Sequence, residues 1–287
     1  MSKPVILVTG KNGQLGNELR ILSEKYLQYE YVLTDVAELD ITDAKKVDAF
    51  FEQYQPAVCI NAAAYTAVDK AETDKDLALK INAEAVGNLA ENCRKINTRF
   101  IHISTDYVFD GTATTPYTED YPVKPVNFYG ESKLKGEERA LMMDPSVVII
   151  RTSWVYSYFG NNFVKTMLRL MKERDSINVI NDQLGSPTYA ADLAEVIMQI
   201  ATAPGNKPGI YHFSNEGVIT WFDFATAIKE LAGLQCKVNP IDTSGYPTPA
   251  RRPAYSVMNK DKIQATFGIT LKDWKDSLQQ CLQLLQS

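Results

Sequence analysis

The sequence predicts an α/β protein with a doubly wound, Rossmann-like parallel sheet and a smaller C-terminal region. Short runs rich in β-branched residues alternate with longer helical patterns through the first half of the chain. The strand-like runs are apolar almost throughout, which indicates strands buried on both faces and a parallel sheet between two layers of helices. Alternation at this spacing implies right-handed crossovers and a doubly wound topology.

Five strands and four helices alternate in the first half. The strands are predicted at residues 4–10, 29–35, 57–63, 99–105 and 146–153. The helices between them are predicted at residues 14–26, 43–54, 75–96 and 129–143. In the first helix, Leu15, Leu19 and Leu22 recur at the spacing of one helix face, which is typical of a helix packed on a core.

The character of the chain changes after about residue 152, where loops rich in Gly, Pro, Asn and aromatic residues separate further helices. These helices are predicted at residues 163–173, 190–203, 220–233 and 270–285, and the loops at 156–163, 181–190 and 243–255. Long loops of this composition usually line binding sites. We therefore predict a dinucleotide-binding domain at residues 1–152. Residues 153–287 are predicted to form mainly a substrate-binding region, with segments that return to the sheet.

Composition limits the kinds of partner that the chain binds. A net charge of −5 over 287 residues argues against nucleic acid or an anionic membrane as the main partner. The N-terminal apolar run is too short for a signal peptide or a membrane span, so we expect a cytoplasmic protein. Four scattered cysteines without a CxxC pair favour buried reduced thiols over a disulfide or a metal site. His102 and His212 lie in apolar runs without paired-ligand spacing, and no metal is expected.

The segment GKNGQLG places Gly10, Gly13 and Gly16 between the first strand and the first helix. Glycines there permit a tight turn and bring the backbone close to a pyrophosphate, which the helix N-terminus then binds. Asp35 ends the second strand, where a carboxylate accepts hydrogen bonds from ribose hydroxyls. Asp35 favours NAD, because a carboxylate repels a 2′-phosphate. Lys11 nearby softens that repulsion, so the preference is shallow and both NADH and NADPH stay open as cofactors. A P-loop is excluded because no Gly-Lys-Ser/Thr follows.

Tyr129 and Lys133 are spaced to share one face of the predicted fourth helix. A phenol has an unperturbed pKa of about 10, and a neighbouring ammonium lowers it by favouring phenolate. A shift of ~2–3 units requires roughly 3–4 kcal/mol, which a desolvated lysine and a cationic nicotinamide together supply. Tyr129 is then the acid that protonates a carbonyl oxygen as hydride arrives, and Lys133 also bonds the nicotinamide ribose. Thr105 ends the fourth strand at the ligand-binding edge and completes the set. Alone, the Tyr–Lys spacing also fits a surface pair, and the glycine turn upstream favours the catalytic interpretation.

Several segments together resemble a known family. VTGKNGQLG, NAAAYTAVDKAE, STDYVFDG, NFYGESKLKGE, RTSWVY, NNFVKTMLRL, VINDQLGSPT and YPTPARRP are similar to those of the extended short-chain dehydrogenase/reductases, most closely the dTDP-4-dehydrorhamnose reductase family. The resemblance covers nearly the whole chain. It implies reduction of the C4 ketone of a dTDP-sugar, dTDP-4-dehydro-L-rhamnose, by NADH or NADPH.

The resemblance also implies site residues. The implied cofactor contacts are Gly10, Asn12, Gly13, Gln14, Leu15, Gly16, Asp35, Asp40, Ile41, Ala62, Ala63, Ala64, Tyr65 and Thr66, with Tyr129 and Lys133. The implied substrate contacts are Thr105, Asp106 and Trp154, with Val68 and Asp69 facing the sugar and Arg252 on the diphosphate. Simpler interpretations stay open for three of these sites. Asp40 and Ile41 fit a helix-capping turn, Trp154 fits a core position, and Arg251 and Arg252 fit a solvated loop.

Other functions within the same fold also stay open. A sugar-nucleotide dehydratase carries Asp-Glu after the Thr, whereas this chain has Asp106-Tyr107, which disfavours elimination. A 4-epimerase and a non-catalytic, nucleotide-binding regulatory subunit are the further alternatives. Some relatives dimerise through Mg²⁺, and Glu18 matches one such ligand. No acidic pair near YAADLAE completes that set, so we expect no metal, and a monomer or a homodimer are both open.

Overall fold

The computed structural model describes residues 3–286, and its centre is one parallel sheet. The strands are β1 (Val5–Thr9), β2 (Glu30–Thr34), β3 (Val58–Asn61), β4 (Arg99–Thr105), β5 (Val148–Thr152), β6 (Val155–Tyr156), β7 (Ser176–Ile180), β8 (Leu184–Gly185), β9 (Thr188–Tyr189), β10 (Gly209–Phe213), β11 (Ile219–Thr220) and β12 (Lys237–Ile241). The helices are α1 (Gln14–Ser23), α2 (Ala44–Tyr54), α3 (Lys75–Leu79), α4 (Ala85–Lys95), α5 (Phe128–Met143), α6 (Phe163–Glu173), α7 (Ala190–Thr202), α8 (Trp221–Leu231), α9 (Asp261–Phe267) and α10 (Trp274–Gln286).

The central sheet has six strands, all parallel, in the order β10-β5-β4-β3-β1-β2. The predicted α/β class with a doubly wound parallel sheet is therefore confirmed. Strand β1 pairs with β2 on one side and with β3 on the other, so the strand order reverses beside β1. In open α/β sheets, ligands bind at the carboxyl ends of the strands beside such a reversal.

Helices cover both faces of this sheet. On one face α1 packs against α7, and the predicted apolar face of α1 (Leu15, Leu19 and Leu22) is buried there. On the other face α4 packs against both α2 and α5. Strand β3 is buried at every position, which is why its sequence is almost continuously apolar.

A second hydrophobic core lies in the C-terminal half, among α6, α8 and α10. Three two-stranded sheets connect the loops around it, and they pair β6 with β9, β7 with β12, and β8 with β11. Strand β10 instead joins the central sheet beside β5. The C-terminal half thus contributes both a separate core and an edge strand of the main sheet.

Three predicted helices differ from the structure, and the first, predicted at 14–26, ends at Ser23. The helix predicted at 75–96 is interrupted by a π-helical turn, Lys80–Glu84. Within this turn Asn82 accepts a hydrogen bond from the Tyr65 N–H (2.8 Å) and donates one to the Tyr65 carbonyl (3.0 Å), so the turn serves a contact with the loop after β3. The helix predicted at 270–285 begins only at Trp274, because the preceding residues pair with Glu216.

The expected burial of the cysteines is confirmed. Cys59, Cys93, Cys236 and Cys281 are free and buried. Burial also raises the pKa of the Cys93 thiol well above its ordinary value, which keeps it protonated and unreactive. Among residues 3–286, no helix combines the length and the apolar character needed to cross a membrane.

Candidate active site at the carboxyl edge of the sheet

A cleft of about 920 Å³ opens at the carboxyl ends of β1, β3, β4 and β5. Most of the residues singled out in the sequence line it: Gly10, Asn12, Gly13, Gln14, Leu15, Asp35, Asp40, Ile41, Ala62, Ala63, Ala64, Thr66, Val68, Thr105, Asp106, Tyr129, Lys133 and Trp154. Residues that sequence reasoning did not identify also line it, among them Val36, Leu77, Lys80, Tyr107 and Trp221.

Four of the expected contacts lie outside the lining of this cleft. Gly16 packs the turn, since a Cβ there would approach the Gly10 carbonyl oxygen to 2.1 Å. Tyr65 directs its hydroxyl to Asp74, at 2.8 Å. Asp69 and Arg252 bind each other, as described below. Gly16 and Tyr65 thus make packing and internal contacts in the structure.

The glycine turn has the geometry that a pyrophosphate site needs. Gly10 has a φ of +72°, and a Cβ there would approach the Ala63 nitrogen to 2.7 Å, so a side chain is excluded at this position. Gly13 is the N-cap of α1 and provides no side-chain cap, so the first N–H groups of the helix have no side-chain acceptor at the cap. Such a helix end binds anions.

The acidic residues after β2 are fixed by local hydrogen bonds. Asp35 accepts hydrogen bonds from the Asn12 N–H (3.1 Å) and the Val36 N–H (2.9 Å). Lys11 pairs with Glu38, at 2.5 Å. The negative charge of Glu38 therefore offsets the positive charge of Lys11, which was expected to weaken the repulsion between Asp35 and a 2′-phosphate. Asp40 accepts hydrogen bonds from both the N–H and the hydroxyl of Thr42, so the capping-turn alternative is present even though Asp40 also lines the cleft.

Helix α5 presents Tyr129 and Lys133 to the same cleft. Asn127 caps the helix by accepting a hydrogen bond from the Gly130 N–H at 2.8 Å. Gly130 lets the helix approach the end of β4, since a Cβ there would lie 2.1 Å from the Tyr107 carbonyl oxygen. As a result the Tyr129 phenol comes within hydrogen-bonding reach of the Thr105 side chain.

Lys133 is the desolvated lysine that the sequence predicted. Its side chain is 2% exposed, and its ammonium donates a hydrogen bond to the Ile103 carbonyl at 2.7 Å. Burial lowers the pKa of Lys133 to about 8, and the charge of Glu137 opposes this shift. Lys133 therefore remains mostly cationic at neutral pH.

The expected acidity of Tyr129 is not found in the chain alone. Burial, the largest cause, and the charge of Asp106 together raise the pKa of Tyr129 to about 12, against the hydrogen bond with Thr105. In the chain alone, burial and the charge of Asp106 therefore outweigh any lowering of the Tyr129 pKa by Lys133. A raised pKa keeps the phenol protonated at neutral pH, which a proton donor requires.

The Asp106-Tyr107 pair follows β4 directly. Burial raises the pKa of Asp106 to about 7, against hydrogen bonds with Ser256 and Thr105. The ring of Tyr107 meets Tyr129 edge-on, with centroids 5.7 Å apart, and burial raises the pKa of Tyr107 above its ordinary value. Tyr107 thus stays neutral and cannot act as a carboxylate base would.

Trp154 and Trp221 form one stacked pair at the wall of the cleft. Their ring centroids are 3.6 Å apart and their planes are inclined by 13°. Trp154 was expected from its motif, whereas Trp221 belongs to no segment singled out as functional. The position of Trp221 at the start of a helix gave no sequence signal for this contact.

Asp69 and Arg252 form a bidentate ion pair between the two halves of the chain. The two Arg252 terminal nitrogens donate to the two Asp69 oxygens at 3.0 and 2.9 Å. Burial raises the pKa of Asp69. The hydrogen bonds from Arg252 and the Ala250 N–H together lower it by more than burial raises it, so the pKa of Asp69 lies below its ordinary value. Arg252 also lines a second cavity of about 460 Å³, together with Asp110 and Tyr246.

Glu18 does not belong to a cluster of metal ligands. It accepts a hydrogen bond from the Ser157 hydroxyl at 2.6 Å, and burial raises the pKa of its carboxyl. Over the described range, residues 3–286, no group of three or more His, Cys, Asp or Glu side chains is arranged to hold a metal ion.

The fold and the cleft define a class of protein. A glycine turn at the reversal of strand order and a buried Tyr–Lys pair in the same cleft are features of nicotinamide-dependent α/β oxidoreductases. Residues 4–287 match the family described as RmlD substrate binding domain. The chain belongs to this family, and the resemblance inferred from its motifs is confirmed.

Individual relatives agree over nearly the full length. A dTDP-4-dehydrorhamnose reductase from Aggregatibacter actinomycetemcomitans is 44% identical over 283 residues, which cover 95% of this chain and 96% of that protein. The crystal structure of a dTDP-4-dehydrorhamnose reductase from Clostridium acetobutylicum has a TM-score of 0.95 and 43% identity, covering 99% of this chain and 100% of that one. A dTDP-4-dehydrorhamnose reductase from Bacillus anthracis, solved in complex with NADP, has a TM-score of 0.94 and 38% identity with the same coverage.

Proposed function

We propose that this protein reduces the C4 ketone of dTDP-4-dehydro-L-rhamnose to dTDP-L-rhamnose with NADH or NADPH. The observation that carries the proposal is that Thr105, Tyr129 and Lys133 line the same cleft as the glycine turn. The names of the relatives described above support the choice of substrate.

Most residues of the glycine turn line one end of the cleft, where we place the cofactor. NADH or NADPH, when bound, supplies the hydride. The turn at Gly10 and Gly13 binds the pyrophosphate at the N-terminus of α1, and Asp35 accepts hydrogen bonds from the adenosine ribose. Ala62 and Ala63 lie against Gly10 and, with Ala64 and Thr66, line the cleft where they would contact the dinucleotide.

Tyr129 donates its proton to the C4 oxygen of the substrate. The phenol is protonated at neutral pH, and Thr105 within hydrogen-bonding reach orients it. Lys133, buried and mostly cationic, stabilises the negative charge that develops on the phenol oxygen as the proton leaves. The low local dielectric strengthens this stabilisation.

The substrate end lies between the two halves of the chain. Val68, Asp106 and Trp154 line the cleft beside the catalytic residues and contact the sugar. The Arg252 guanidinium donates three hydrogen bonds, two to Asp69 and one to the Ala250 carbonyl. A guanidinium has five N–H donors, so the remaining ones are available to the diphosphate.

The placement of cofactor and substrate at different ends of the cleft assigns a role to each half of the chain. We infer that residues 1–152 bind the dinucleotide, while residues 153–287 mainly form the substrate side and return β10 to the sheet. We also infer a cytoplasmic location, which four free buried thiols support, and a monomer or homodimer without a structural metal.

An assay of cofactor oxidation tests the proposal. Purified protein is mixed with NADH or NADPH and dTDP-4-dehydro-L-rhamnose, with the UDP- and GDP-linked keto-sugars as controls. We expect oxidation with the dTDP-sugar and formation of dTDP-L-rhamnose. Cofactor binding without turnover of any keto-sugar would instead support a regulatory subunit, and release of water from the sugar would support a dehydratase.

A further inference from the structure

Trp154 is held in an unusual backbone conformation at the wall of the cleft. Its φ is +48°, in the left-handed region that bulky residues rarely adopt because the side chain crowds the backbone. Such conformations persist only where surrounding contacts stabilise them, and they cluster at functional sites. The contacts that stabilise Trp154 are therefore candidates for functional residues themselves.

Two residues fix the position of the Trp154 indole. Trp221 stacks on it at 3.6 Å between centroids. Gly185 lies against its six-membered ring, since a Cβ at that position would approach Cε2 and Cζ2 to 2.6 Å. The absence of a side chain at residue 185 is therefore a requirement for the observed indole position.

Trp221 is anchored by the fold of the C-terminal half. It is the first residue of α8, directly after the N-cap Thr220, whose capping box with Asp223 fixes the start of the helix. Phe163 packs on the Trp221 ring with centroids 4.6 Å apart. Trp221 also lines the cleft itself.

We propose that Trp221 and Gly185 are positioning residues that hold Trp154 as a preformed aromatic wall for the keto-sugar of the substrate. This inference rests on the proposed function, because it takes the ligand to be a sugar nucleotide. The C–H face of a pyranose ring is apolar and packs on an aromatic face. A wall that is ordered before binding spares the cost of ordering the indole when substrate arrives.

Kinetics of matched variants test this inference. Trp221→Leu removes the ring that stacks on Trp154, and Trp221→Phe keeps an aromatic ring there. Gly185→Ala places a methyl group against the Trp154 indole and displaces it. The control is Trp274→Phe, which changes the third tryptophan; Trp274 packs on Phe224 and does not line the cleft. Circular dichroism reports the stack independently of activity, through the exciton signal of two stacked indoles.

We expect Trp221→Leu and Gly185→Ala to raise KM for the keto-sugar about tenfold, equivalent to about 1.4 kcal/mol. KM for NADH stays at the wild-type value in both variants, because the nicotinamide end of the cleft is unchanged. Trp221→Phe recovers most of the loss, and Trp274→Phe leaves both KM values unchanged. A purely structural role of Trp221 would lower the amount of active enzyme without this split between the two KM values.

Loss of the exciton signal in Trp221→Leu with an unchanged keto-sugar KM would overturn the inference and leave the proposed function intact. If the wild type binds NADH but reduces no keto-sugar, the proposed function fails. Titration of dTDP-L-rhamnose by tryptophan fluorescence then decides the inference separately. Weaker binding by Trp221→Leu supports it, whereas equal binding, or no binding by the wild type, overturns it.

Discussion

Asp106 is the buried acid that acts on Tyr129 through its charge. Burial raises the pKa of Asp106 to about 7, so its charge changes near neutral pH. Ionised Asp106 is one of the causes that raise the pKa of Tyr129, second to burial. The two groups are therefore coupled: loss of the phenol proton costs more when Asp106 is charged than when it is neutral.

The pH dependence of the reaction follows from this coupling. In the wild type we expect kcat to fall as the pH rises through about 7, because Asp106 becomes anionic and opposes proton donation by Tyr129. In Asp106→Asn the fall near pH 7 is absent. The decline at higher pH remains in both, because Lys133, with a pKa of about 8, loses its positive charge there.

Stopped-flow NADH oxidation from about pH 5 to about pH 10, at saturating substrate, measures both profiles. Saturation separates this effect from any weaker sugar binding in the variant. If Asp106→Asn shows the same fall near pH 7 as the wild type, the assignment of that titration to Asp106 is wrong.

At the scale of secondary structure, α5 holds the catalytic pair in place through a buried ion pair. Glu137 lies one turn beyond Lys133 on the same helix face and pairs with Arg151 of β5, at 2.7 Å. Glu137 also accepts a hydrogen bond from Ser104 of β4. Both charged side chains are almost fully buried and have lost the solvation that water gives a charge. Each is therefore stabilised by the opposite charge of the other.

Glu137→Gln is expected to lower the free energy of unfolding by ~3–5 kcal/mol, because it leaves the Arg151 guanidinium buried without a counter-charge. Urea unfolding measures the loss. Glu131→Gln on the same helix is the matched control. Glu131 pairs with Lys135 in solvent, and loss of an exposed pair of this kind changes stability by at most ~1 kcal/mol.

The double variant Glu137→Gln/Arg151→Met removes both charges and should regain part of that stability. Equal losses for Glu137→Gln and Glu131→Gln would contradict the view that the buried pair stabilises α5 against the sheet.

Sequence periodicity predicted most elements closely and missed those that depend on distant contacts. Helix α5 was predicted to within one residue at its start, since capping and spacing are local. The π-helical turn around Asn82 was not predicted, because its amide bonds to the backbone of Tyr65 in another segment. The two-stranded sheets of the C-terminal half depend on similar long-range pairing.

At the scale of the whole molecule, Asp69 and Arg252 link the loop after β3 to the loop before α9. Asp69 is partly exposed, so the pair contributes little to stability. Its effect is instead to position the guanidinium between the two halves, next to the second cavity.

Asp69→Asn is expected to raise KM for the keto-sugar nucleotide about tenfold, because Arg252 loses its bidentate anchor and is no longer aimed at the diphosphate. KM for NADH and the urea midpoint change little. The control Glu173→Gln breaks the exposed Arg169–Glu173 pair and should alter none of these quantities. Wild-type KM values in Asp69→Asn would exclude a positioning role for the pair.

Parts of the candidate site with short sequence spacings were predictable, whereas contacts between distant residues were not. The glycine turn and the Tyr129–Lys133 pair have short spacings that the fold preserves, so the sequence located them. The bond between Asp69 and Arg252 joins residues 183 positions apart, which no local pattern reports. The pKa of Tyr129 in the chain alone depends on burial, which appears only when the chain is folded, so the spacing of Tyr129 and Lys133 could not predict its direction.

Proton donation by Tyr129 is tested most directly by single-turnover oxidation of NADH by Tyr129→Phe with saturating dTDP-4-dehydro-L-rhamnose. NADH affinity is measured alongside by fluorescence, so that loss of chemistry is distinguished from loss of cofactor binding. We predict a rate at least ~100-fold below that of the wild type with unchanged NADH affinity. A Tyr129→Phe rate close to that of the wild type would contradict this mechanism.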